Sequence, residues 1–303
     1  MNLTHRQLEV LVAAADAESF SAAAQRLGIS QPSLSESIRR IEREVGVPLF
    51  RRTTRSVKLT DDGRHAASVA REIVRDFKTA LERLSSRAGG RQGRIAVAAL
   101  PSIACAVLPA AINAFAREHP AIDVALHDVQ HERAVQLVTE GAVDLALTVK
   151  PAEDDGLAFE EIASDVAHLV CRSDDPLARK RSVRWRELTG RAFIGITRIS
   201  SVRRLTDAAF VHAELAIAPR YEVEQIPSAV ALVEANLGIT ALPSLTFSMF
   251  KGRKLAVRPL TEPVLRRNVG FVTTAGRTLP PQTGRFIEIV RSTMRKELAA
   301  GWP

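Results

Sequence analysis

The sequence predicts an α/β protein in two parts: a helical N-terminal region, then a larger region in which strands and helices alternate. Three observations support this division. Two helical patterns flank a four-residue break at 28–31. A segment rich in glycine, serine and arginine at 85–93 has the composition of a linker. Beyond it, strand-like and helix-like segments alternate, which favours largely parallel sheets.

The composition is that of a soluble globular protein. The 303 residues give room for two or three domains, and 46% of them are hydrophobic. No run of about 18 apolar residues occurs, and the N-terminus has no apolar signal segment, so we expect a cytoplasmic protein without membrane contact. Cys105 and Cys171 are expected to be buried thiols in a reducing compartment rather than disulfide partners.

The net charge favours a polyanionic partner. It is +8, with a sequence pI of about 10.1. The placement of the charge is more informative, because Arg51, Arg52, Arg55 and Lys58 lie within nine residues that directly follow the first helical patterns. A basic segment at this place predicts contact with nucleic acid.

Capping residues predict the N-terminal helices. Thr4 is placed to cap a helix over 3–15, Ser19 or Ser21 a second helix, and Ser30 a third. Gly28 supplies the permissive backbone that a tight turn between the second and third helices requires. Pro32 falls in the first turn of the third helix, where a missing N–H costs nothing.

The third helix has one apolar and one polar face. Leu34, Ile38, Ile41 and Val45 form its apolar stripe. The residues predicted to lie away from that stripe carry short hydrogen-bonding or charged groups: Gln31, Ser33, Ser35, Glu36 and Arg39. Such groups suit the donor and acceptor pattern of base edges in a DNA major groove. The alternative is a pair of packed helices in some all-α domain.

A wing and a long helix follow. Val57 and Leu59 alternate with polar residues, which predicts a two-stranded wing within 47–60 whose arginines suit phosphates or a narrow minor groove. Residues 60–63 have the composition of a helix start. An apolar repeat near 3.5 then predicts an interaction seam at Ala66, Val69, Ile73, Phe77, Ala80 and Leu84.

The C-terminal region of about 210 residues suits two similar subdomains better than one. Strands are predicted at 95–100, 122–126, 143–149, 166–170, 193–196, 239–242 and 269–272. Helices are predicted at 105–118, 132–140, 202–215, 228–236 and 282–298. The alternation indicates α/β subdomains.

The N-terminal motifs together resemble one family. They are Arg6-Gln7-Leu8, the run from Ser19 to Ala24 with Leu27, "ISQPSLSESIRRIEREVGVPLFRR" and "VKLTDDGR". Over residues 1–64 the sequence resembles the DNA-binding region of LysR-type transcriptional regulators, and the remainder agrees with that family in length and α/β order. The resemblance implies a winged helix-turn-helix, a dimerising linker helix, and two Rossmann-like lobes similar to periplasmic binding proteins.

On this basis we expect three domains. They are a winged helix-turn-helix at 1–60, a linker and dimerisation helix at 61–88, and an effector-binding domain at 89–303. Within the last, subdomain I is expected at about 91–164 and 266–303, and subdomain II at about 165–265. Val69, Ile73, Phe77 and Leu84 are the expected dimerisation residues.

The resemblance also assigns DNA-contacting residues. Gln31, Pro32, Ser33 and Ser35 match recognition-helix positions, and Arg52 and Arg55 match the wing. Glu36 departs from the family, in which this position is often basic or amide-bearing. Its carboxylate could accept from a cytosine amino group, or face Arg39 and Arg40.

Effector-contacting residues are expected where strands end at the cleft between the lobes. Ser102, with the amide of Ile103, follows the strand ending at Leu100 and either binds an effector carboxylate or only caps its helix. Thr197 and Ser200 occupy the equivalent turn of the second lobe. His131 matches another cleft position but has a structural alternative, and Thr148 and Gln225 lie at further strand or helix ends.

The resulting hypothesis is a transcription factor that responds to a small molecule. It binds double-stranded operator DNA as a dimer, assembles into a tetramer, contacts RNA polymerase, and uses no cofactor. An enzyme is the second hypothesis, which the lack of a G-x-S-x-G, P-loop, H-E-x-x-H or C-x-x-C motif disfavours. An architectural DNA-coating protein is the third. No metal site is expected, because the spacing of His119, His127 and His131 does not place three ligands on one helical face.

Overall fold

The computed structural model describes residues 3–17, 19–52, 57–88, 93–152 and 156–301. The chain folds as two compact units, Met1–Gln92 and Gly93–Pro303. Each unit has hydrophobic core residues of its own. The predicted change of architecture near residue 90 therefore coincides with the boundary between the units.

The first unit contains helices and one hairpin. Their order is α1 (His5–Asp16), α2 (Phe20–Leu27), α3 (Gln31–Val45), β1 (Phe50–Arg52), β2 (Val57–Leu59) and α4 (Asp61–Ala88). The side chains of Thr4, Ser19 and Ser30 each accept a hydrogen bond from the backbone N–H three residues later. Ser19 rather than Ser21 therefore caps α2, and the caps predicted for α1 and α3 are those observed.

The core of the first unit lies where α1, α2 and α3 meet. Leu34, Ile38 and Ile41 of the predicted apolar stripe are fully buried there, while Val45 packs at its edge. Burial of three such side chains contributes about 1.5–3 kcal/mol each relative to exposure. The β1–β2 hairpin pairs Phe50 with Leu59, so the predicted wing is present.

Helix α4 spans Asp61–Ala88 and extends past Leu84, the last residue of the apolar repeat. Thr60 Oγ1 accepts from the Gly63 N–H at 2.9 Å, which fixes the start of the helix next to the wing. The helix continues to Ala88, so the prediction of a linker from Ser85 is wrong for 85–88. The next four residues, 89–92, lie outside the described part of the chain.

The second unit alternates strands and helices. It runs β3 (Gly93–Ala99), α5 (Pro101–Ala106), α6 (Leu108–Glu118), β4 (Ile122–Asp128), α7 (His131–Thr139), β5 (Leu145–Val149), β6 (Leu157–Arg172), β7 (Val183–Arg184), β8 (Ile194–Ile196), α8 (Ser201–His212), β9 (Tyr221–Val223), α9 (Ile226–Glu234), β10 (Thr240–Pro243), β11 (Leu255–Thr261), β12 (Arg266–Thr274) and α10 (Pro281–Ala300). Three short 3₁₀ helices lie at Pro176–Arg179, Trp185–Leu188 and Ser244–Met249.

Two lobes share two crossing strands. The first half of β6 pairs with β12 beside β3, β4 and β5, which form lobe I with α5, α6, α7 and α10. The second half of β6 pairs with β10 and β11, which form lobe II with β7 to β9 and helices α8 and α9. Strands β6 and β12 therefore connect the lobes, as the hinge of a two-lobed ligand-binding protein would.

The sheet is mixed, and the prediction of largely parallel sheets is wrong. Strands β3, β4 and β5 are parallel. Strand β12 is antiparallel to both β5 and β6, and β10 and β11 are antiparallel to β6. The reason is that β6 and β12 run between the lobes in opposite directions, which alternation along the sequence cannot reveal.

The other differences between the predicted and the observed helices and strands are local. The predicted helix over 105–118 is two helices, α5 and α6, because Pro109 lies in the first turn of α6 and has no N–H to continue α5. Strands β7 and β9 were missed because they have only two and three residues. Strand β11 was missed because it contains Pro259, which weakens a strand signal.

Candidate nucleic-acid interface and interlobe cleft

Helices α2 and α3 form a tight helix-turn-helix. Gly28 adopts a left-handed conformation with φ of 65°, and its N–H satisfies carbonyls at the end of α2. Ala23 and Ala24 are buried between the helices, and their small side chains permit close approach. This packing leaves the first turn of α3 facing solvent.

The first turn of α3 presents an organised polar surface. Gln31, Pro32 and Ser33 are exposed, as predicted. Ser30 Oγ accepts from the Ser33 N–H at 3.3 Å and lies 2.7 Å from Ser33 Oγ. These side chains therefore stand in defined positions at a helix N-terminus, where phosphates and base edges can be contacted.

Ser35 does not belong to that exposed surface, contrary to the prediction. It is only 8% exposed, and its Oγ accepts from Gln31 Nε2 at 3.1 Å. The two residues are one helical turn apart, so they lie on the same face. Ser35 therefore orients the Gln31 amide.

Glu36 contacts two arginines along α3. Its carboxylate lies 3.3 Å from Arg39 Nη1 and 3.3 Å from Arg43 Nη2. The second arginine that Glu36 contacts is therefore Arg43, not Arg40 as expected from the sequence. All three side chains are at least half exposed, so the pairs contribute little to stability, about 0–1 kcal/mol each. Glu36 and Arg39 remain accessible to DNA.

The wing residues are described only in part. Arg52 ends β1, and Arg55 lies outside the described residues. Glu42 Oε1 accepts from the N–H groups of Leu49 and Phe50 at 2.9 and 3.1 Å. The end of α3 therefore fixes the start of the wing.

We predict that replacing Gln31 by Ala weakens binding to the specific operator by about 1–3 kcal/mol and leaves binding to random DNA nearly unchanged. The reason is that an amide reads base edges, whereas random DNA is bound through phosphates. The measurement is a titration against a sequence selected from a random library with the wild-type protein. Gln136→Ala is the control, because Gln136 is an exposed glutamine in the second unit. Equal losses on both DNAs would show that Gln31 reads no base.

Helix α4 carries an exposed apolar stripe. Val69, Ile73, Phe77 and Leu81 are 43–50% exposed. Ala66 and Ala70, in contrast, pack into the core of the first unit, so Ala66 does not belong to the seam predicted from the sequence. The Phe77 ring lies 4.1 Å from that of His5. Leu84, also predicted in the seam, belongs to α4, but its side chain lies outside the described part.

A buried ionic cluster lies where the lobes meet. Arg267 of β12 donates from Nη2 to Asp165 Oδ2 of β6 at 2.6 Å. Nη2 also donates to Ser102 Oγ of lobe I at 3.1 Å, and Nη1 donates to Ser201 Oγ of lobe II at 3.1 Å. One guanidinium thus hydrogen-bonds to both lobes and to a crossing strand.

The cluster is deeply buried and leaves donors unused. The side chains of Arg267 and Asp165 are 4% and 0% exposed. A guanidinium has five N–H donors, and the three hydrogen bonds described use three of them. Arg267 Nε is buried with no partner among the described residues. A buried donor without an acceptor is costly, so this group can take an acceptor from a ligand.

Next to Arg267 the lobes enclose a small cavity of about 20 Å³, enough for one water molecule. Among its lining residues are Ser102, Gln130, Ser200, Gln225 and Arg267. The side chains of Gln130 and Gln225 cap no helix. At the surface, Arg204 of lobe II pairs with Glu132 of lobe I at 2.7 Å. The cleft is therefore closed in this structure.

The structure brings together three of the residues expected to contact an effector: Ser102, Ser200 and Gln225. The alternative that Ser102 caps α5 is wrong, because the N-cap is Leu100 without a side-chain hydrogen bond. Ser200 does cap α8, accepting from the Val202 N–H at 3.2 Å.

The other expected residues do not line the cavity. The Ile103 side chain is fully buried in the lobe I core, and its N–H donates to the Leu100 carbonyl. Thr197 is half-buried outside the cavity. His131 Nδ1 lies 2.8 Å from Thr148 Oγ1, and both side chains are buried. Burial, followed by the nearby Arg204 charge, lowers the pKa of His131.

Arg267, Asp165, Ser201 and Gln130 were not expected from the sequence. A signal was present for Asp165, which is the one Asp, Glu, Lys or Arg in the segment 162–171, whereas Arg267 stands in the polar run Arg266-Arg267-Asn268. Buried charges in strands need a partner. Their separation of 102 residues conceals which one it is.

The described residues offer little for other chemistry. They contain no group of three or more His, Cys, Asp or Glu side chains suited to hold a metal ion. Among the helices in the described ranges, none is long and apolar enough to cross a membrane. Both cysteines are free, but Cys105 is exposed, so the expectation that both are buried is wrong for it. Burial raises the pKa of Cys171 to about 12.

A helix-turn-helix with a wing, followed by a two-lobed α/β unit with a polar cleft, is the architecture of a class of DNA-binding transcriptional regulators. Residues 5–64 match the family model of the bacterial regulatory helix-turn-helix proteins of the LysR family. Residues 88–295 match the model of the LysR substrate binding domain. The chain belongs to the LysR family of transcriptional regulators.

The sequences of individual relatives match this chain over nearly its whole length. The HTH-type transcriptional regulator YbhD of Escherichia coli K12 is 31% identical over 283 residues, which cover 93% of this chain and 89% of that protein. A probable nitrogen assimilation transcriptional activator of Synechococcus elongatus is 26% identical, covering 96% of each chain.

Solved structures share the fold. A full-length OxyR variant from Pseudomonas aeruginosa gives a TM-score of 0.65 at 22% identity, covering 97% of this chain and 95% of that chain. Full-length CbnR in complex with its target DNA gives a TM-score of 0.56 at 23% identity, and the match covers 96% of this chain and 99% of that chain. The two-unit architecture is therefore that of known LysR-family regulators.

Proposed function

We propose that this regulator reads operator DNA with α3 and the wing. Gln31, Pro32 and Ser33 would contact base edges and backbone, with Ser35 holding Gln31 in place. Glu36 and Arg39 would extend the contact along the helix, and Arg52 and Arg55 would contact phosphates. The exposed, hydrogen-bonded first turn of α3 supports this proposal.

The protein would act as a cytoplasmic dimer. Its seam would be the apolar stripe of α4, because four exposed apolar side chains on one helix face gain free energy by pairing. Two dimers would form a tetramer that meets RNA polymerase at the promoter. No enzymatic step and no cofactor enter this proposal.

The effector would be a small carboxylate bound between the lobes. The observation that carries this proposal is Arg267, which is buried, lines the cavity and has an Nε donor without a partner among the described residues. A carboxylate accepts several N–H donors, and such charge-assisted bonds are among the strongest. Gln130 and Gln225 would supply further donors from the cavity wall.

Binding would be coupled to lobe geometry. The closed cavity holds about 20 Å³, which is too small for a carboxylate ligand, so the lobes must separate for one to enter. Separation breaks the Arg204–Glu132 pair and alters the contacts of Arg267 to Ser102 and Ser201. An effector would therefore shift the population of lobe arrangements, and through it DNA bending or contact with RNA polymerase.

A panel of small carboxylates tests the proposal. Acetate, succinate, benzoate and citrate would be added at constant ionic strength, and the thermal unfolding of the full chain recorded. We expect at least one to stabilise the wild type in a saturable manner. Gln225→Leu should lower the affinity for that ligand about tenfold, since the substitution removes one hydrogen bond to the ligand.

The control is Gln136→Leu, which alters an exposed glutamine away from the cleft. Gln225 is exposed and donates no side-chain hydrogen bond within the described residues, so its loss should leave unliganded stability within about 0.5 kcal/mol. A carboxylate that binds Gln225→Leu and wild type equally well would place the site elsewhere.

A further inference from the structure

A second cavity lies in lobe II, away from the interlobe cleft. It measures about 220 Å³ and opens between the end of β6, the approach to β8, the start of β9 and the turn after α9. Among its lining residues are Arg172, Asp175, Arg191, Ala192, Arg220 and Gly238. None of these residues lines the cleft.

Positive charge exceeds negative charge in this cavity. Arg172 Nε donates to Asp174 Oδ1 at 2.8 Å, and its Nη1 donates to the Glu234 carbonyl at 3.1 Å. Arg191 pairs with Asp175. Three arginines against these two carboxylates leave one positive charge.

Arg220 carries the charge that is not neutralised. Its guanidinium carbon lies 5.6 Å from the centre of the Tyr221 ring, and no described carboxylate is within ion-pair distance. Arg172 and Arg191, in contrast, are fixed by their acidic neighbours. Fixed guanidinium groups beside a free one are an arrangement that a planar oxyanion can bridge.

The backbone adds a donor. The Gly238 N–H makes no hydrogen bond to the described part of the chain, although the neighbouring Ile239 N–H donates to the Ala192 carbonyl at 2.9 Å. A Cβ at position 238 would lie 2.4 Å from the Ala192 carbonyl oxygen, so only glycine allows this close approach of the two segments. Gly238 is thus a lining residue whose N–H has no partner among the described residues.

We propose that this cavity binds a small oxyanion, the phosphate or carboxylate group of a small molecule. The site goes beyond the proposed function, because it is separate from the interlobe cleft. The cavity has one more positive than negative charge, which matches a ligand with one anionic group. The volume of about 220 Å³ is about eleven times that of the interlobe cavity, so it has room for inorganic phosphate or a compact organic acid. Arg172 ends the crossing strand β6, so an occupant would contact the strand that both lobes share.

The test is binding of inorganic phosphate, acetate and citrate to the full chain. Calorimetric titrations would be made at an ionic strength held constant with sodium chloride, which separates specific binding from screening. We expect saturable binding of phosphate or of a carboxylate, and the responding ligand identifies the group recognised. Arg220→Ala should lower the affinity for that ligand at least tenfold, because the substitution removes the arginine charge that has no ion-pair partner among the described residues.

Two variants make the outcome decisive. Arg179→Ala removes another exposed arginine of lobe II that forms no ion pair with the described residues, and it should bind like the wild type. Gln225→Leu should also retain the ligand, which distinguishes this site from the cleft. The proposal is overturned if none of the three anions binds saturably, or if Arg179→Ala loses as much affinity as Arg220→Ala.

Discussion

Replacing both Ile73 and Phe77 by Glu is expected to convert the protein to monomers and to reduce its operator affinity by roughly 10²–10⁴-fold. The two side chains are 46% and 45% exposed on α4, so a folded first unit does not need them buried. In the proposed dimer they would lie at the centre of the seam, where four added carboxylates repel one another. A monomer then binds each half-site separately and loses the gain in effective concentration.

Sedimentation and titration of a selected operator would measure the two effects. Circular dichroism should show an unchanged helix content. Val264→Glu is the control, since Val264 is 50% exposed in a loop of the second unit. Phe77 also contacts His5, so Ile73→Glu alone should be compared. A double variant that remains a dimer would show that the stripe is covered in another way.

The sequence was most informative where the determining contacts are local. Thr4, Ser19 and Ser30 cap helices because their hydroxyls accept from the N–H three residues later, and this spacing is visible in the sequence. The apolar stripe of α3 predicted its buried face for the same reason. The helix-turn-helix and its wing were therefore predicted correctly.

Ser35 shows where this local reasoning fails. Its position on the helical wheel placed it with the polar residues, yet it is buried beneath Gln31. A helical wheel gives the direction in which a side chain points but not how deeply it is buried, and here the Gln31 amide donates to Ser35 Oγ on that face.

The sheet of the second unit depends on contacts that the sequence does not show. Strand β6 has 16 residues and serves both lobes, but only five of them were predicted as a strand. No residue of its first half is fully buried, whereas its second half contains the buried residues Asp165, Ala167 and the run 169–171. A single test for hydrophobic periodicity therefore does not recognise the two halves of β6 as one strand. Neither half shows that the neighbouring strands are antiparallel.

The interlobe cleft was predicted in outline. Ser102, Ser200 and Gln225 were found because residues after strands gather at one edge of a sheet. Arg267 and Asp165 were not found, because they lie inside strands and meet through the crossing of β6 and β12. The most deeply buried polar group of the cleft therefore became visible only in the structure.

Replacing Arg267 by Met is expected to lower the free energy of unfolding of the second unit by about 3–5 kcal/mol. The substitution keeps an unbranched side chain of similar length but leaves Asp165, which is 0% exposed, without its cation. The Leu245 N–H, at 3.3 Å, would be the only described donor left to that carboxylate. Ser102 and Ser201 would each lose a donor as well.

Denaturant unfolding followed by the fluorescence of Trp185, which is fully buried in lobe II, would measure the change. The matched control is Arg266→Met. Arg266 is the neighbouring residue of β12, and the alternation of a strand turns its side chain outward, where it is exposed. This control should change the free energy by no more than about 0.5 kcal/mol.

A second variant separates the ion pair from packing. Arg267→Met combined with Asp165→Asn removes both charges and should recover part of the lost stability, because the uncompensated carboxylate is gone. If Arg267→Met costs no more than Arg266→Met, the pair contributes nothing to the closed arrangement. If the double variant is no more stable than the single one, the loss arises from the packing of the Arg267 side chain. A loss that is large and partly restored would instead establish that one buried guanidinium holds the two lobes together, and that any ligand opening the cleft must work against it.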